Sequence, residues 1–319
     1  MNFEIEPRYS FSLRLVLPSE EAQWSRLMDS SFLVPNGHHF IDDFPIWGPL
    51  HPRDEVVRLG VFQGNSLISG AGVRLVKLKT TQENKTLEVG VIGAVATHSE
   101  WRGRGLASSL VQHAVHLAKE GGADLIVLWG SEHSLYQKLG FELCGRQMRC
   151  RLDTLTLMPA TKARQSKQND PKALKIIKGW SPEIFSLLKS RSEGFVLKDK
   201  DQIWYAAHKN VEWYSTQVND RVTAYAGVGR GIDLKDIIHE WGGEAECLQT
   251  LLSFIQKDKP NAELLGSPRH FERWTMAPEE SFSLGSLEYL CMAKIINPEK
   301  LSSVDGFPLS LWVWGLDAA

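Results

Sequence analysis

The sequence predicts an α/β fold, and three observations within residues 88–141 carry that prediction. Residues 89–96, Val-Gly-Val-Ile-Gly-Ala-Val-Ala, form a nearly continuous apolar run too short for a lone helix. Such a run suits a strand covered on both faces. A glycine-rich loop, Arg102-Gly103-Arg104-Gly105, follows and opens a stretch with helical apolar period. A second apolar run at 124–129, a short helix around Leu135–Lys138 and a strand after Phe141 complete a strand, loop, helix, strand, helix, strand order.

The helix shows its period directly. Leu106, Leu110, Ala114 and Leu117 share a face with Ala107, Val111 and Ala118, whereas Ser109, Gln112, His113, His116 and Glu120 fall opposite. Gly121-Gly122 end it. A helix start leaves four N–H groups free and carries partial positive charge, so it can hold a pyrophosphate. Glycines keep Cβ atoms away from the phosphates, and Arg102 or Arg104 could add charge-assisted bonds. Within the strand, Gly90 and Gly93 allow another backbone or a ligand to approach closely.

The loop fits neither of two better-known phosphate motifs. Ser108 stands where a dinucleotide fingerprint needs its third glycine. No Lys-Ser/Thr follows the second glycine, as a P-loop requires. An Arg-x-x-Gly-x-Gly/Ala match alone would arise by accident in roughly one of six chains of this size. Its pairing with Tyr136-x-Lys138-x-Gly140-Phe141 is far more specific.

That pairing, after an Ala94-Val95-Ala96 strand end, resembles the GNAT superfamily of CoA-dependent N-acyltransferases over roughly residues 10–152. Residues 131–141 further resemble the Ser-Glu…Tyr…Gly-Phe stretch of the enhanced-intracellular-survival type acetyltransferases. The resemblance implies a mixed, mainly antiparallel central sheet flanked by helices. It implies acetyl-CoA as co-substrate, gripped by Arg102, Gly103, Arg104, Gly105, Leu106 and Ala107. The pantetheine arm would pair with Ala94, Val95 and Ala96, and the Val95 N–H would face the thioester oxygen. Tyr136 stands where the family's usual acid stands. A phenol is about 1.5 pKa units weaker an acid than a thiol, so full proton transfer would be uphill by roughly 2 kcal/mol. A hydrogen bond to the departing thiolate is the expected role.

The general base is not fixed by the resemblance. Val89 occupies the register where some members place a glutamate, and Glu88 points to the opposite face of a regular strand. Glu132, His98, His38, His39, Asp42 and Asp43 are further candidates, and each alone is more often a solvated surface group. The terminal carboxylate of Ala319 corresponds to the group that serves some relatives, and a water chain is another route.

The rest of the chain reads in order as follows. Residues 11–17 are a strand, and a helix capped by Ser19 runs to Ser31, with Trp24, Leu27, Met28 and Phe32 on its apolar face. Residues 34–53 are loop-rich and aromatic. They either line the acceptor wall, as in the resembled fold, or form a surface loop that buries Phe44 and Trp47. Residues 56–63 and 66–78 make a hairpin around Gly64-Asn65. The first domain, 1–152, would be followed by a polar linker, 153–171, and a second domain, 172–319.

The second domain repeats the order of elements without repeating the residues. Strand 174–177, helices 182–188 and 201–215, hairpin 216–228 around Asn219-Asp220, strand 237–243, helix 244–256 and strand 262–267 follow one another. The last strands are 288–296 and 309–314. Neither the Arg-x-x-Gly-x-Gly/Ala loop nor the Tyr-x-Lys-x-Gly-Phe motif recurs, so this half is read as a degenerate GNAT-like domain that does not bind CoA as the first does. It would wall the acceptor site or form an interface, a homo-oligomer included.

Composition bounds the alternatives. A net charge of -2 lacks the basic excess of a nucleic-acid binder. Residues 1–8 lack a cationic start and long apolar core, and no run of about twenty apolar residues suggests a membrane span. Cys144, Cys150, Cys247 and Cys291 lack metal-type spacing and read as reduced cytoplasmic thiols. No metal is expected. The leading reading is transfer of an acetyl group from acetyl-CoA to a small-molecule or peptide amine. Its alternative is a non-catalytic acyl-CoA-binding sensor. A transferase using aminoacyl-tRNA would need a basic stripe that the chain lacks.

Overall fold

Short glycine turns, apolar strands and two amphipathic helices draw the chain into two compact units. The computed structural model describes residues 2–6, 9–49, 56–80, 85–155, 174–274 and 285–318. One unit comprises the chain up to Gly145 together with Leu290–Leu311, and the other comprises Arg146–Tyr289 and Trp312–Asp317.

The first unit opens with β1 (Asn2–Glu6) and β2 (Tyr9–Leu15), then α1 (Glu21–Ser31) and α2 (Phe40–Asp43). The sequence missed β1. Ser19 does not cap α1: the chain enters through a 3-10 turn, Pro18–Glu20, in which the Leu17 N–H donates to Glu20 Oε2 at 2.8 Å. The hairpin expected around Gly64-Asn65 is present as β3 (Val56–Gln63) and β4 (Ser66–Lys79). Next come β5 (Thr86–Thr97), α3 (Leu106–Glu120), β6 (Leu125–Leu128), α4 (His133–Lys138) and β7 (Glu142–Arg151), which leads out of the unit. Helix α3 buries Leu106, Leu110, Val111, Ala114 and Ala118 of the predicted face and adds Val115, whereas Ala107 and Leu117 are half-buried. Its end at Gly121-Gly122 uses Gly122 at φ 85°.

In the second unit, β8 (Lys175–Lys178), α5 (Pro182–Lys189) and β9 (Gly194–Phe195) come first. The predicted helix over 201–215 is half right. Only α6 (Gln202–Ala207) is helical, and β10 (Glu212–Val218) takes the remainder. Alternation of Trp213 and Ser215 with Tyr214 and Thr216 serves two sheet faces better than one helix face. β10 turns through Asn219-Asp220, at φ 54° and 60°, into β11 (Arg221–Arg230). Positive φ at both central residues is the hairpin geometry that matches strand twist. Then follow β12 (Asp233–Gly243), α7 (Ala245–Asp258), β13 (Glu263–Gly266) and α8 (Pro268–Trp274). The core here gathers Ile184, Phe185, Leu188, Tyr205, Trp213, Tyr225 and Leu316.

The chain then returns. β14 (Gly285–Ile295) and α9 (Pro298–Ser302) follow, and residues 290–295 of β14 belong to the first unit, where they pair with β6. The sequence had assigned this strand to the second half. Lys300 Nζ reaches Asp124 at 2.6 Å, and the same carboxylate accepts the Glu88 N–H at 2.8 Å. Residues 309–314, expected as a strand, are a turn and extended coil. Within the first unit the strand order is β1-β2-β3-β4-β5-β6-β14, and within the second it is β7-β13-β12-β11-β10-β8. The paired ladders are antiparallel except β5 with β6 and β12 with β13. The sheets are therefore mixed and mainly antiparallel, with the same parallel step in each unit. Most of the expected linker lies outside the described residues.

Candidate active site

The site begins where two parallel strands part. β5 and β6 pair from Val89 with Leu125 to Ile92 with Leu128, and β6 ends there. On its other side β5 stays with β4, but with a bulge. Gly72 opposes Gly93 and Gly70 opposes Ala96, so Ala94 and Val95 together face Ala71. Ala94 adopts φ 50°, a left-handed conformation that costs a non-glycine residue on the order of 1 kcal/mol. A bulge leaves one of the two residues out of the ladder and re-aims it. Ala94 and Ala96 are buried and Val95 is half-buried. The three residues expected to meet the pantetheine arm are thus at the bulge itself.

The strand's end is tied down before the loop begins. The Ser69 hydroxyl donates to the Ala96 carbonyl at 2.8 Å, the His98 N–H donates to the Ile68 carbonyl at 2.9 Å, and Arg102 Nε donates to the Thr97 carbonyl at 3.1 Å. Arg104 lies over the Trp101 ring at 4.9 Å, and Trp101 meets Phe11 edge-on at 5.6 Å. Gly103 and Gly105 sit at φ 76° and 77°, and a Cβ on either would point into open space. Helix α3 starts directly after Gly105. The N–H groups of Leu106, Ala107 and Ser108 precede the first intrahelical donor, since Ser109 N–H is the one that bonds back to the Gly105 carbonyl at 3.0 Å. Backbone donors, a helix dipole and two arginines meet in one turn.

Tyr136, on α4, lies against the chain that leaves β6. Two residues beyond the last β5–β6 pair lie Ala94 on one side and Gly130 on the other. A Cβ on Gly130 would be 2.8 Å from Tyr136 Cε2 and 3.2 Å from its hydroxyl. The ring belongs to the buried cluster that includes Leu106, Leu110, Leu128 and Phe141, and it meets Phe141 edge-on at 6.2 Å. Burial first, and the charge of Glu132 second, push the Tyr136 phenol up from its ordinary range. It therefore holds its proton at neutral pH.

The aromatic segment 34–49 supplies a feature that sequence reasoning left undecided. Phe44 and Trp47 are both buried. Trp47 lies against the Gly72–Gly93 pair: a Cβ would meet its ring at 2.3 Å from Gly72 and 2.5 Å from Gly93. Its indole N–H is buried with no hydrogen-bond partner. What Gly93 admits is thus a side chain of the protein, and Gly90 likewise admits Ala118 at 2.7 Å.

The base candidates scatter. Glu88 is seven residues before Val95, about 23 Å along a strand, and its side chain meets Lys77 at 3.3 Å. His39 pairs with Asp29 at 2.9 Å, and Asp43 is buried. His38, His98 and Glu132 are exposed, and Asp42 is half-buried. Ala319 lies outside the described residues. In the second unit the counterpart of the loop is gone. β12 passes into α7 through Glu244 alone, and Glu246 occupies the helix's first turn. Two carboxylates at a helix start oppose a phosphate. Among the described residues, no group of three His, Cys, Asp or Glu could hold a metal ion, and no helix is long and apolar enough to cross a membrane.

Residues 12–144 match the family described as an acetyltransferase (GNAT) domain. Three solved structures resemble the chain along most of its length. A GCN5-related N-acetyltransferase from Kribbella flavida has a TM-score of 0.60 at 15% identity, covering 92% of this chain and 73% of the other. A GCN5-related N-acetyltransferase from Anabaena variabilis has a TM-score of 0.61 at 16% identity, covering 94% and 76%. Eis1 from Mycobacterium abscessus has a TM-score of 0.57 at 12% identity, covering 89% and 73%. No curated protein matches significantly. At these identities the likeness carries the fold. The coverage, together with the parallel step repeated in each unit, is consistent with a second GNAT-like domain.

Proposed function

We propose, from the match of residues 12–144 to the GNAT acetyltransferase domain family, that this chain transfers an acetyl group from acetyl-CoA to a primary amine. The amine is a small molecule or a peptide. The observation that carries the reading is the meeting of three features at one parting of strands: the Ala94–Val95 bulge, the Gly103–Gly105 turn into α3, and the Tyr136 hydroxyl beside Gly130.

The amide N–H groups opening α3 grip the pyrophosphate, with Arg102 and Arg104 beside them. The pantetheine arm runs along Ala94-Val95-Ala96, and the Val95 N–H stabilises the oxyanion. The neutral amine nitrogen attacks the thioester carbon, and a C–N bond forms. As the tetrahedral intermediate collapses, the C–S bond breaks, its electron pair leaves on sulfur, and the nitrogen gives up a proton to solvent water. Tyr136 donates a hydrogen bond to that sulfur. Burial that keeps the phenol protonated supports this role. Four unpaired cysteines are in keeping with a cytoplasmic setting.

Calorimetry with acetyl-CoA tests the first half of the reading. Gly105→Val forces a branched side chain to φ 77° at the head of α3. The expected result is saturable heat for the native chain and at least a tenfold loss in the variant, which keeps a cooperative thermal transition lowered by a few degrees. The absence of heat with CoA and with acetyl-CoA would overturn the reading. Binding without thiol release across a panel of amines would leave the sensor instead.

A further inference from the structure

A bulge with a left-handed alanine persists only where its surroundings over-determine it. Ala94, at φ 50°, is such a residue. On the face of the sheet opposite α3, two indoles supply the constraint. The bulge lies between two rungs of the β4–β5 ladder, Gly72 with Gly93 before it and Gly70 with Ala96 after it. Each rung carries a tryptophan. The Trp47 ring lies along the first: an added Cβ would be 2.3 Å from its Cε3 at Gly72, and 2.5 Å from Cζ2 and 3.0 Å from Nε1 at Gly93. The Trp24 ring lies over the second, where an added Cβ on Gly70 would be 2.8 Å from its Cζ3. Ala71, between the two glycines of β4, packs in the α3 cluster on the other face.

The Trp47 ring is itself held. The turn Pro45–Trp47 is closed by the Trp47 N–H on the Phe44 carbonyl at 3.1 Å. β3 continues the first rung, since Arg58 pairs with Gly72. The Arg58 guanidinium forks onto Glu21 at 2.7 and 2.9 Å, reaches the Trp47 carbonyl at 3.4 Å and lies 5.4 Å from the Trp24 ring centre. The Trp47 indole N–H makes no bond, so the ring supplies width rather than a hydrogen bond. Its Cε3 edge covers Gly72 and its Cζ2–Nε1 edge covers Gly93, a span that a single ring lacks.

We propose that Trp47 is a positioning residue: seated on the Gly72–Gly93 rung, it holds the Ala94–Val95 bulge and so keeps the Val95 N–H on the thioester carbonyl. This rests on the acetyl-CoA reading above. The Gly103–Gly105 turn is tied separately, through Arg102 Nε and the Thr97 carbonyl, so the nucleotide end should not feel the loss of the ring.

The test uses the full chain with acetyl-CoA carrying 13C at the thioester carbonyl, read by difference infrared spectra. A hydrogen bond to a carbonyl lowers its stretching frequency, so the native complex should show the band below that of free acetyl-CoA. Trp47→Leu should bind CoA within about twofold of the native chain but acetyl-CoA about fivefold more weakly, the worth of one hydrogen bond. Its carbonyl band should return toward the free position. Leu13→Ala truncates the α3-side core away from the bulge and controls for lost stability. Its band should stay at the native position. Should Trp47→Leu fail to fold, Trp47→Phe is read in the same way. A native-like band in the Trp47 variant, a native band unmoved from that of free acetyl-CoA, or an equal return in Leu13→Ala would each overturn the proposal while leaving acetyl-CoA binding in place. A native chain that binds neither CoA nor acetyl-CoA would instead overturn the proposed function, and this proposal with it.

Discussion

At the scale of single residues, the first unit separates two kinds of glycine. Gly103 and Gly105 have positive φ and open space around an added Cβ, so backbone conformation is what they supply. Gly72 and Gly93 lie in strands, and the space over them is filled by Trp47. Tyr136 joins both concerns, with its ring in the core and its hydroxyl at the parting. Tyr136→Phe keeps the ring and removes the donor, so acetyl-CoA binding should persist while turnover falls by about 10²-fold. The raised phenol gives a second readout. In an alkaline titration followed by phenolate absorbance, the native chain should show one more tyrosine ionising above the usual range than the variant does.

At the scale of elements, β5 is where sequence reading and structure can be compared most closely. The apolar run, the glycine loop and the α3 period were legible because each is a local pattern in contiguous residues. The bulge was not, since it is a two-against-one register with β4, and register depends on a partner strand. Trp47 was half legible. Glycines inside a strand announce that something approaches, but the approaching group is 46 residues away and nothing local names it. Gly93→Ala tests that packing. An added methyl 2.5 Å from the Trp47 ring should cost about 1–3 kcal/mol in urea unfolding. A neutral result would mean that the indole is not seated on that pair. The mistaken helix over 210–215 has a similar origin, because an aromatic-rich stretch satisfies a helical and an alternating pattern about equally well.

At the scale of the whole molecule, the repeated order of elements was readable and the division of the chain was not. Residues 290–295 look like any apolar strand, and only their pairing with β6 assigns them to the first unit. The buried charges of the second unit were equally invisible, since Arg191 and Glu240 are far apart in sequence. Burial would raise the Glu240 carboxyl, but the Arg191 charge, with help from His239 and the Leu316 N–H, outweighs it and holds the group down at about 2. A carboxyl depressed on folding stabilises fully above its unfolded value near 4.5 and loses that contribution as pH falls toward about 2. Arg191→Met should therefore cost about 3–5 kcal/mol at neutral pH, since it strands a buried carboxylate. It should also flatten the fall in stability between pH 4.5 and 2, as read by urea melts at several pH values. Equal slopes for both proteins would show that the pair does not govern the acid limb.

The return of β14 has a bearing on how the protein is made. A ribosome releases the α3 loop, the bulge and Tyr136 well before it delivers the strand that lies beside β6. Until residue 295 emerges, β6 presents an open edge, and Asp124 waits for Lys300. The first unit is completed last, although it is begun first, so a gene cut at residue 152 would leave β6 with an unpaired, aggregation-prone edge.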